Sequence, residues 1–337
     1  MNGPRVDVLI PCFDEREHIE ACVRSLLASD YPRDRLCIVV IDGGSGDGTV
    51  EIVDRLARED ARVQRLHNPA RLKPHGLNLA IRRSRADVVL RADAHALYPP
   101  DYVRRLVEDL ERHDADNTGG IRETFVGGNA IARAIGIAVS HRFAAGDAHY
   151  RTGSARVREV ESVFGGCYRR EVFDRIGLFN ERLVRTQDRE LNRRLRAAGG
   201  RIVLDPAVRC TYFPRTDARA YWRWTWEGAC WLFVARRFTD TPMVSWRNLV
   251  PLSLVAWHGL AVALSGLAPA LAALLVGPVL AYWAINAGVS VHAAASRRDP
   301  ALAPALFVVF AMTHFAYGLA SLQGALRCAL AGGKVQG

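Results

Sequence analysis

From Leu249 to Ala295 the chain carries no Asp, Glu, Lys or Arg, and from Ala301 to Ala325 it again carries none. A helix that crosses a bilayer needs ~20 apolar residues, so the first stretch has room for two crossings and the second for one. Buried helices of soluble proteins are seldom so long and so free of charge. Gly266-Leu267-Ala268-Pro269 reads as the hairpin between the first two spans. Arg236, Arg237 and Arg247 precede the first span, and Arg297 and Arg298 follow the second. Basic residues stay on the cytoplasmic side, which puts the N-terminal part of the chain in the cytoplasm. A third span then sends the C-terminus outward, against the preference of Arg327 and Lys334. Trp222, Trp224, Trp226, Trp231 and Trp246 lie among arginines just before the spans. They suit a helix at the headgroup level, or, for Trp224 and Trp226, an ordinary aromatic core patch.

Other gross features exclude more than they assign. Met1 to Glu15 is a strand pattern ending in acids, not a signal peptide. The seven cysteines include no C-x-x-C pair and read as reduced thiols, with neither a zinc site nor a disulfide frame. The net charge of +10 is carried almost wholly by arginine, with Lys73 and Lys334 the only lysines, scattered beside acids. That pattern argues against nucleic acid and suits an anionic membrane face and diphosphate ligands.

Ahead of the spans, apolar runs alternate with amphipathic stretches. Val6 to Ile10 reads as a buried strand stopped by Pro11, and Asp14 as the cap of a helix with Ile19, Val23, Leu26 and Leu27 inward. Leu36 to Ile41 is a second strand, running into Asp42-Gly43-Gly44-Ser45-Gly46-Asp47-Gly48-Thr49. A helix with Ile52, Val53 and Leu56 inward follows, then a strand from Val63 to Leu66, a helix from Leu77 to Arg83 and a strand from Asp87 to Asp93. Alternation of this kind predicts an α/β fold with a mainly parallel sheet, whose ligands sit beyond the carboxyl ends of the strands. Glu15, Asp42 and Asp93 fall at such ends. The glycine loop lacks G-x-G-x-x-G, because Thr49 stands where the third glycine belongs. Asp42 repels a phosphate but can accept hydrogen bonds from a base or ribose, so a dinucleotide oxidoreductase is disfavoured. Asp93-Ala94-His95 puts a carboxylate and an imidazole at the mouth of a buried strand, as needed to hold a divalent cation against a diphosphate. From Asp114 to Arg158 the period fades, and the segment reads as acceptor-side loops with one or two helices. Order returns at Val163 to Arg170. Arg185 to Asn192 opens an amphipathic helix that stops at Gly199-Gly200, and Ile202 to Leu204 is one more strand.

Pro11-Cys12-Phe13-Asp14-Glu15, the Asp42 to Thr49 loop, Leu77-Asn78-Leu79-Ala80-Ile81, Asp93-Ala94-His95 and Gln187-Asp188-Arg189-Glu190-Leu191-Asn192 occur in that order. The set resembles family 2 glycosyltransferases of the GT-A fold, from about Val6 to Pro214. The Asp-Ala-His and Gln-Asp-x-Glu-Leu-Asn forms are similar to those of the bacterial exopolysaccharide branch. The resemblance implies a GT-A nucleotide-diphospho-sugar transferase domain over 1–218, an interfacial aromatic segment over 219–247 and about three transmembrane helices over 248–330. It implies a bacterial inner membrane enzyme facing the cytoplasm, adding one sugar from a nucleotide-sugar, UDP-linked by expectation, to a polyprenyl-diphosphate-linked or other lipid-linked saccharide. Other glycan-assembly proteins are expected partners.

Mapped residue by residue, the resemblance gives Pro11, Glu15 and Asp42 to the nucleoside, Lys73 to the diphosphate and Asn78 to the donor side. Asp93, with His95 as second ligand or as a hydrogen-bond donor to phosphate, takes a divalent metal, Mn²⁺ or Mg²⁺. An imidazole ligand leans towards Mn²⁺. The metal offsets charge on the leaving nucleoside diphosphate. Asp188 is either the general base of an inverting transfer or a helix cap, and Glu190 is structural or touches the acceptor.

The wider family's Asp-Asp-Gly-Ser is here Asp42-Gly43-Gly44-Ser45, and its Glu-Asp pair is Gln187-Asp188. Its Gln-x-x-Arg-Trp survives only as Arg223-Trp224, with Ala220 in place of Gln. That loss, together with so few spans, favours single-sugar addition over a processive synthase. A non-catalytic, nucleotide-sugar-binding subunit of an export complex is the rival from another class.

Overall fold

The computed structural model describes residues 3–267 and 269–330. Its strands are β1 (Val6–Cys12), β2 (Leu36–Asp42), β3 (Val63–His67), β4 (Val88–Arg91), β5 (Ala96–Leu97), β6 (Asn117–Thr124), β7 (Arg158–Glu159), β8 (Cys167–Arg169) and β9 (Ile202–Tyr212). The helices are α1 (Ile19–Leu27), α2 (Thr49–Glu59), α3 (Lys73–Arg83), α4 (Tyr102–Arg112), α5 (Ala130–Ala138), α6 (Arg142–Ala145), α7 (His149–Thr152), α8 (Glu171–Ile176), α9 (Gln187–Ala197), α10 (Ala218–Val234), α11 (Trp246–Leu267), α12 (Pro269–Ala295) and α13 (Ala303–Leu330).

All the strands join one sheet, ordered β3-β2-β1-β4-β8-β6-β9-β5, with β7 on β9. The first four run parallel, β8 is antiparallel to both its neighbours, and β6 and β9 are again parallel. The α/β fold expected from the alternating pattern is thus present, with a mixed rather than mainly parallel sheet. Both faces are covered because side chains along a strand alternate. Val6, Val8 and Ile10 pack with Leu26, Leu56 and Leu106, on α1, α2 and α4. Leu9 and Val89 point the other way, against Leu77, Ile81, Leu191 and Leu195, on α3 and α9.

The chain separates into two compact units: Ala148–Phe213 returns to the sheet, whereas Phe125–Asp147 joins the helices that follow Pro214. The sheet unit departs from expectation in three places. β1 continues through Pro11 to Cys12, because pairing with β4 ends at Leu9↔Arg91 and Pro11 has no partner on that side to disappoint. Asp14 does not cap α1. It sits at φ 53° and accepts a hydrogen bond from Gly46 N at 2.9 Å. Finally, β6 emerges from the stretch expected to be loops, and β9 runs far beyond Leu204, with a register shift between Gly119 and Ile121.

Among the described residues of the helical unit, three segments are long and apolar enough to cross a membrane: Trp246–Gly266, Leu274–Ala295 and Pro300–Leu330. Ala268, central to the expected hairpin, and Lys334 lie outside the described residues. α13 packs against α5, α10, α11 and α12. Small residues permit the close approaches: a Cβ on Gly318 would lie 2.2 Å from Pro251 O, and one on Gly324 2.5 Å from Cys230 O. Tyr221 Oη and Thr313 Oγ1 are 2.9 Å apart, and Trp226 Nε1 donates to Gln323 Oε1 at 2.9 Å. Tyr221 is buried and Trp222, Trp224 and Trp226 half-buried, while Trp246 is 71% exposed, so the aromatic run divides between packing and surface.

Candidate active site

The glycine loop is built by carboxylates. Asp42, 2% exposed at the end of β2, accepts from Gly44 N (2.9 Å) and Ser45 N (3.1 Å). Gly44 sits at φ 87°, a conformation that side chains disfavour. Asp47 holds Thr49 through its backbone N (3.0 Å) and hydroxyl (2.6 Å), and Thr49 Oγ1 accepts from Glu15 N at 2.9 Å. Asp42 therefore shapes the loop from beneath, with both oxygens engaged by backbone. Pro11 stands half-buried at the neighbouring end of β1.

The loop places Glu15 against His95, with Glu15 Oε1 2.9 Å from His95 Nδ1. A carboxylate on Nδ1 fixes the tautomer with the proton there and leaves Nε2 as a lone-pair donor. The His95 ring meets Tyr212 edge-on at 5.1 Å. Tyr98 holds the backbone of the Asp-Ala-His turn by accepting from Asp93 N at 2.8 Å.

Asp93 and Asp188 are linked through a residue the motif reading passed over. Arg91, the last residue of β4, is 6% exposed. It pairs with Asp93 Oδ1 through one terminal nitrogen and with Asp188 Oδ2, at 3.2 Å, through the other. Lys73 Nζ, at the start of α3, lies 3.2 Å from the same Asp93 oxygen. Burial opposes the charges of Arg91, Asp93 and Lys73. For Asp93 it is outweighed by Arg91 and Lys73, which hold the carboxyl well below the ordinary carboxylate range. For Arg91 it is outweighed by Asp188 and then Asp93, which hold the guanidinium charged. Lys73 moves the other way: burial and then Arg91 push its ammonium down. The signal for Arg91 was an arginine ending a strand otherwise apolar and buried on both faces.

Asp188 lies in the first turn of α9 and caps nothing; its Oδ1 is buried and has no hydrogen-bond partner among the described residues. Its neighbours are structural. Glu190 is buried against Arg194 (2.7 Å), and Asn192 bonds Asn117, Tyr168 and Ser162. Asn78 is not brought to the cluster. It is 1% exposed, donates to Phe179 O and Glu181 Oε1, and accepts from Phe179 N, clamping α3 to the Gly177–Glu181 loop.

Among the described residues no group of three or more His, Cys, Asp or Glu side chains forms a metal cage. Asp93 with His95 Nε2 offers two ligands at most. Asp93 Oδ1 is already engaged by Arg91 and Lys73, so a divalent ion there would need substrate phosphates and water for its remaining ligands, and the Glu15–His95 contact would serve as outer-shell support for the imidazole.

Comparison with known proteins follows the same outline. Residues 7–177 match the model of the family described as glycosyl transferase family 2. The succinoglycan biosynthesis protein ExoA of Rhizobium meliloti is 37% identical over 210 residues, covering 62% of this chain and 63% of that protein. A dolichyl N-acetyl-α-D-glucosaminyl phosphate 3-β-D-2,3-diacetamido-2,3-dideoxy-β-D-glucuronosyltransferase of Methanococcus voltae is 21% identical, over 64% of this chain and 69% of its own length. The match with ExoA spans less than two thirds of that relative's length. Among solved structures, mannosyltransferase PcManGT from Pyrobaculum calidifontis, in complex with GDP-Man and Mn²⁺, superposes with a TM-score of 0.66 at 20% identity. That superposition covers 98% of this chain and 88% of the other, and it shows a shared fold.

Proposed function

The chain belongs to glycosyl transferase family 2, and we propose that it is a membrane-anchored, inverting glycosyltransferase that moves one sugar from a nucleotide-sugar to a lipid-linked saccharide. One observation carries the reading: a single buried arginine joins Asp93, the carboxylate suited to a diphosphate-bound cation, to Asp188, whose side chain stays 29% exposed and keeps one oxygen without a hydrogen bond among the described residues.

In this reading Pro11, Glu15 and the loop shaped by Asp42 receive the nucleoside. Asp93 and His95 hold a divalent cation, Mn²⁺ or Mg²⁺, which would offset charge on the departing diphosphate. Lys73 leaves Asp93 for a phosphoryl oxygen when the donor enters, since its ammonium is already destabilised by burial and by Arg91. Arg91 stays between the carboxylates and orients Asp188, so that the exposed part of its carboxylate meets the acceptor hydroxyl. Asp188 takes that proton as the hydroxyl oxygen attacks the anomeric carbon, the bond to the diphosphate breaks, and configuration inverts in one displacement. Family membership and the identity to ExoA favour glycan assembly, with exopolysaccharide the leading candidate. The apolar helices favour an acceptor carried on lipid at the bacterial inner membrane, with the sheet unit in the cytoplasm.

The test uses membranes containing the full chain, a panel of UDP-, GDP- and dTDP-sugars with Mn²⁺, and polyprenyl-diphosphate saccharides. Nucleoside diphosphate release that needs metal, one donor and the lipid acceptor is expected, with a product longer by one sugar. Long products would favour a processive synthase. Donor binding without release under every acceptor would favour a non-catalytic subunit.

A further inference from the structure

A second buried arginine has no duty in that mechanism. Arg122 lies in β6, 3% exposed. Its guanidinium sits 4.1 Å from the ring centroid of Tyr212, 5.7 Å from that of Phe164 and 6.0 Å from that of Tyr150. Nε and Nη2 are buried with no hydrogen-bond partner among the described residues. The side chain nearest in charge is another cation, Arg151, whose Nε donates to Tyr150 Oη at 3.0 Å. Burial and then Arg151 push the Arg122 guanidinium below its ordinary value. Removing a guanidinium from water is costly, and aromatic faces offset only part of that cost. Ordinary packing does not explain such a residue.

Its location supplies the reason. Tyr212 separates Arg122 from His95, contacting both. The Asp93 charge reaches Arg122, and the Asp188 charge reaches Tyr150. Arg122 therefore lies one side chain away from the His95 end of the site. Tyr150 and Arg151 belong to the short helix α7, which ends at Gly153 (φ 91°), where an added Cβ would meet nothing within 4 Å.

We propose that Arg122, with the Tyr150 hydroxyl and Arg151 beside it, forms an anion subsite that takes a phosphoryl group of the substrates, separate from the Lys73–Asp93 pocket. Nε and Nη2 present the two-pronged donor edge that phosphoryl oxygens match. The identity of the group, acceptor diphosphate or donor diphosphate, rests on the glycosyl-transfer reading; the existence of the subsite does not.

The test compares the full chain with Arg122→Met in detergent. With metal chelated, inorganic diphosphate is expected to raise the thermal midpoint of the unsubstituted protein and not that of the variant. The variant without ligand should melt no lower than the parent, because it has lost an unpaired buried charge. KM for a diphosphate-linked acceptor should rise roughly 10- to 100-fold, the scale of losing charge-assisted hydrogen bonds, with KM for a neutral alkyl glycoside unchanged. A rise in KM for the nucleotide-sugar instead assigns the subsite to the donor. Unchanged diphosphate protection together with unchanged KM for both substrates overturns the proposal. If Arg122→Met does not fold, Arg122→Lys repeats the diphosphate titration, where weakened binding supports the subsite and equal binding overturns it. A protein that binds diphosphate through Arg122 yet moves no sugar would sink the transfer reading and leave the subsite standing.

Discussion

Arg91 and Arg122 stand on strands either side of β8, both almost wholly buried, and they live in opposite surroundings. Arg91 ends an apolar strand and lies between two carboxylates with a third charge, Lys73, close by. Arg122 sits in a strand of small and polar residues, inside an aromatic box with unsatisfied nitrogens. The first charge is neutralised by the chain itself, so its removal should damage the fold. The second is not, so its removal should damage binding. The difference separates what the protein needs to be folded from what it needs to hold.

The largest expected effect falls on the Arg91 side. Asp188→Asn keeps the shape of the side chain and removes the basic oxygen, and turnover should fall on the order of 10²- to 10⁴-fold, the size of losing a positioned base. Affinity for the nucleoside diphosphate with Mn²⁺ should stay within a few-fold (~1 kcal/mol), since Asp93, Lys73 and the glycine loop are untouched. Calorimetric titration beside initial rates checks both halves. Unchanged turnover would remove Asp188 from the chemistry.

A direct contest between the arginines comes next. Arg91→Met leaves Asp93 and Asp188 buried without their shared cation and should destabilise the sheet unit by about 3–5 kcal/mol, the usual loss when one partner of a buried pair is removed. Arg122→Met should be neutral or stabilising. Denaturant unfolding followed by a probe in the sheet unit reads the two side by side. Equal losses would break the comparison and make Arg122 a structural residue.

Asn78 tests the same distinction at smaller scale. Its amide makes three hydrogen bonds to Phe179 and Glu181 and none to the cluster. Asn78→Ala should cost roughly 2–3 kcal/mol of stability by leaving buried groups unsatisfied, with donor KM unchanged in the protein that remains folded. A raised donor KM at unchanged stability would return Asn78 to the donor site.

The halves of the sheet differed in legibility for the same physical reason. β1, β2 and β4 are mostly buried runs rich in Val, Ile and Leu, and β3 keeps Val63 and Leu66 inward, so their presence and approximate positions could be read directly. β6 spells Asn-Thr-Gly-Gly-Ile-Arg-Glu-Thr, and Asn117, Thr118 and Arg122 are nonetheless buried. Glycine fits there because a Cβ on Gly119 would lie 2.4 Å from Val163 Cβ and one on Gly120 2.2 Å from Val208 O. A strand that hides polar groups and replaces side chains with close backbone carries no hydrophobic period. The apolar C-terminal helices were legible through absence of charge alone, which needs no period. Motif spacing brought out Glu15, Asp93, His95 and Asp188, but not the Arg91 bridge, because a bridge is a fact of three dimensions. Nor could it separate Asn78, whose amide faces the Phe179 loop, from residues that face the cluster.

Asp109 shows a third way for a buried charge to be accommodated, neither by an ion partner alone nor by a ligand. It lies on α4, 1% exposed, near Asp205, with Oδ2 unsatisfied among the described residues. Burial and then Asp205 push its carboxyl up to about 7, against the pull of Arg112 at 3.1 Å. His113 lies 3.7 Å away and Glu108 adds a further negative charge. Since the folded value is raised above the unfolded one, the neutral acid favours the fold: its contribution is complete below about pH 4 and is lost as pH rises through about 7. The full shift would be worth ~1.4 kcal/mol per unit, and the pairing with Arg112 should reduce the observed loss between pH 5 and 8 to about 1–2 kcal/mol. Asp109→Asn keeps the shape without the charge, so the difference in stability between variant and parent should grow in the variant's favour across that range. A difference that does not change with pH would mean that Arg112 already neutralises Asp109, which would then belong with Arg91 among the groups the chain satisfies by itself.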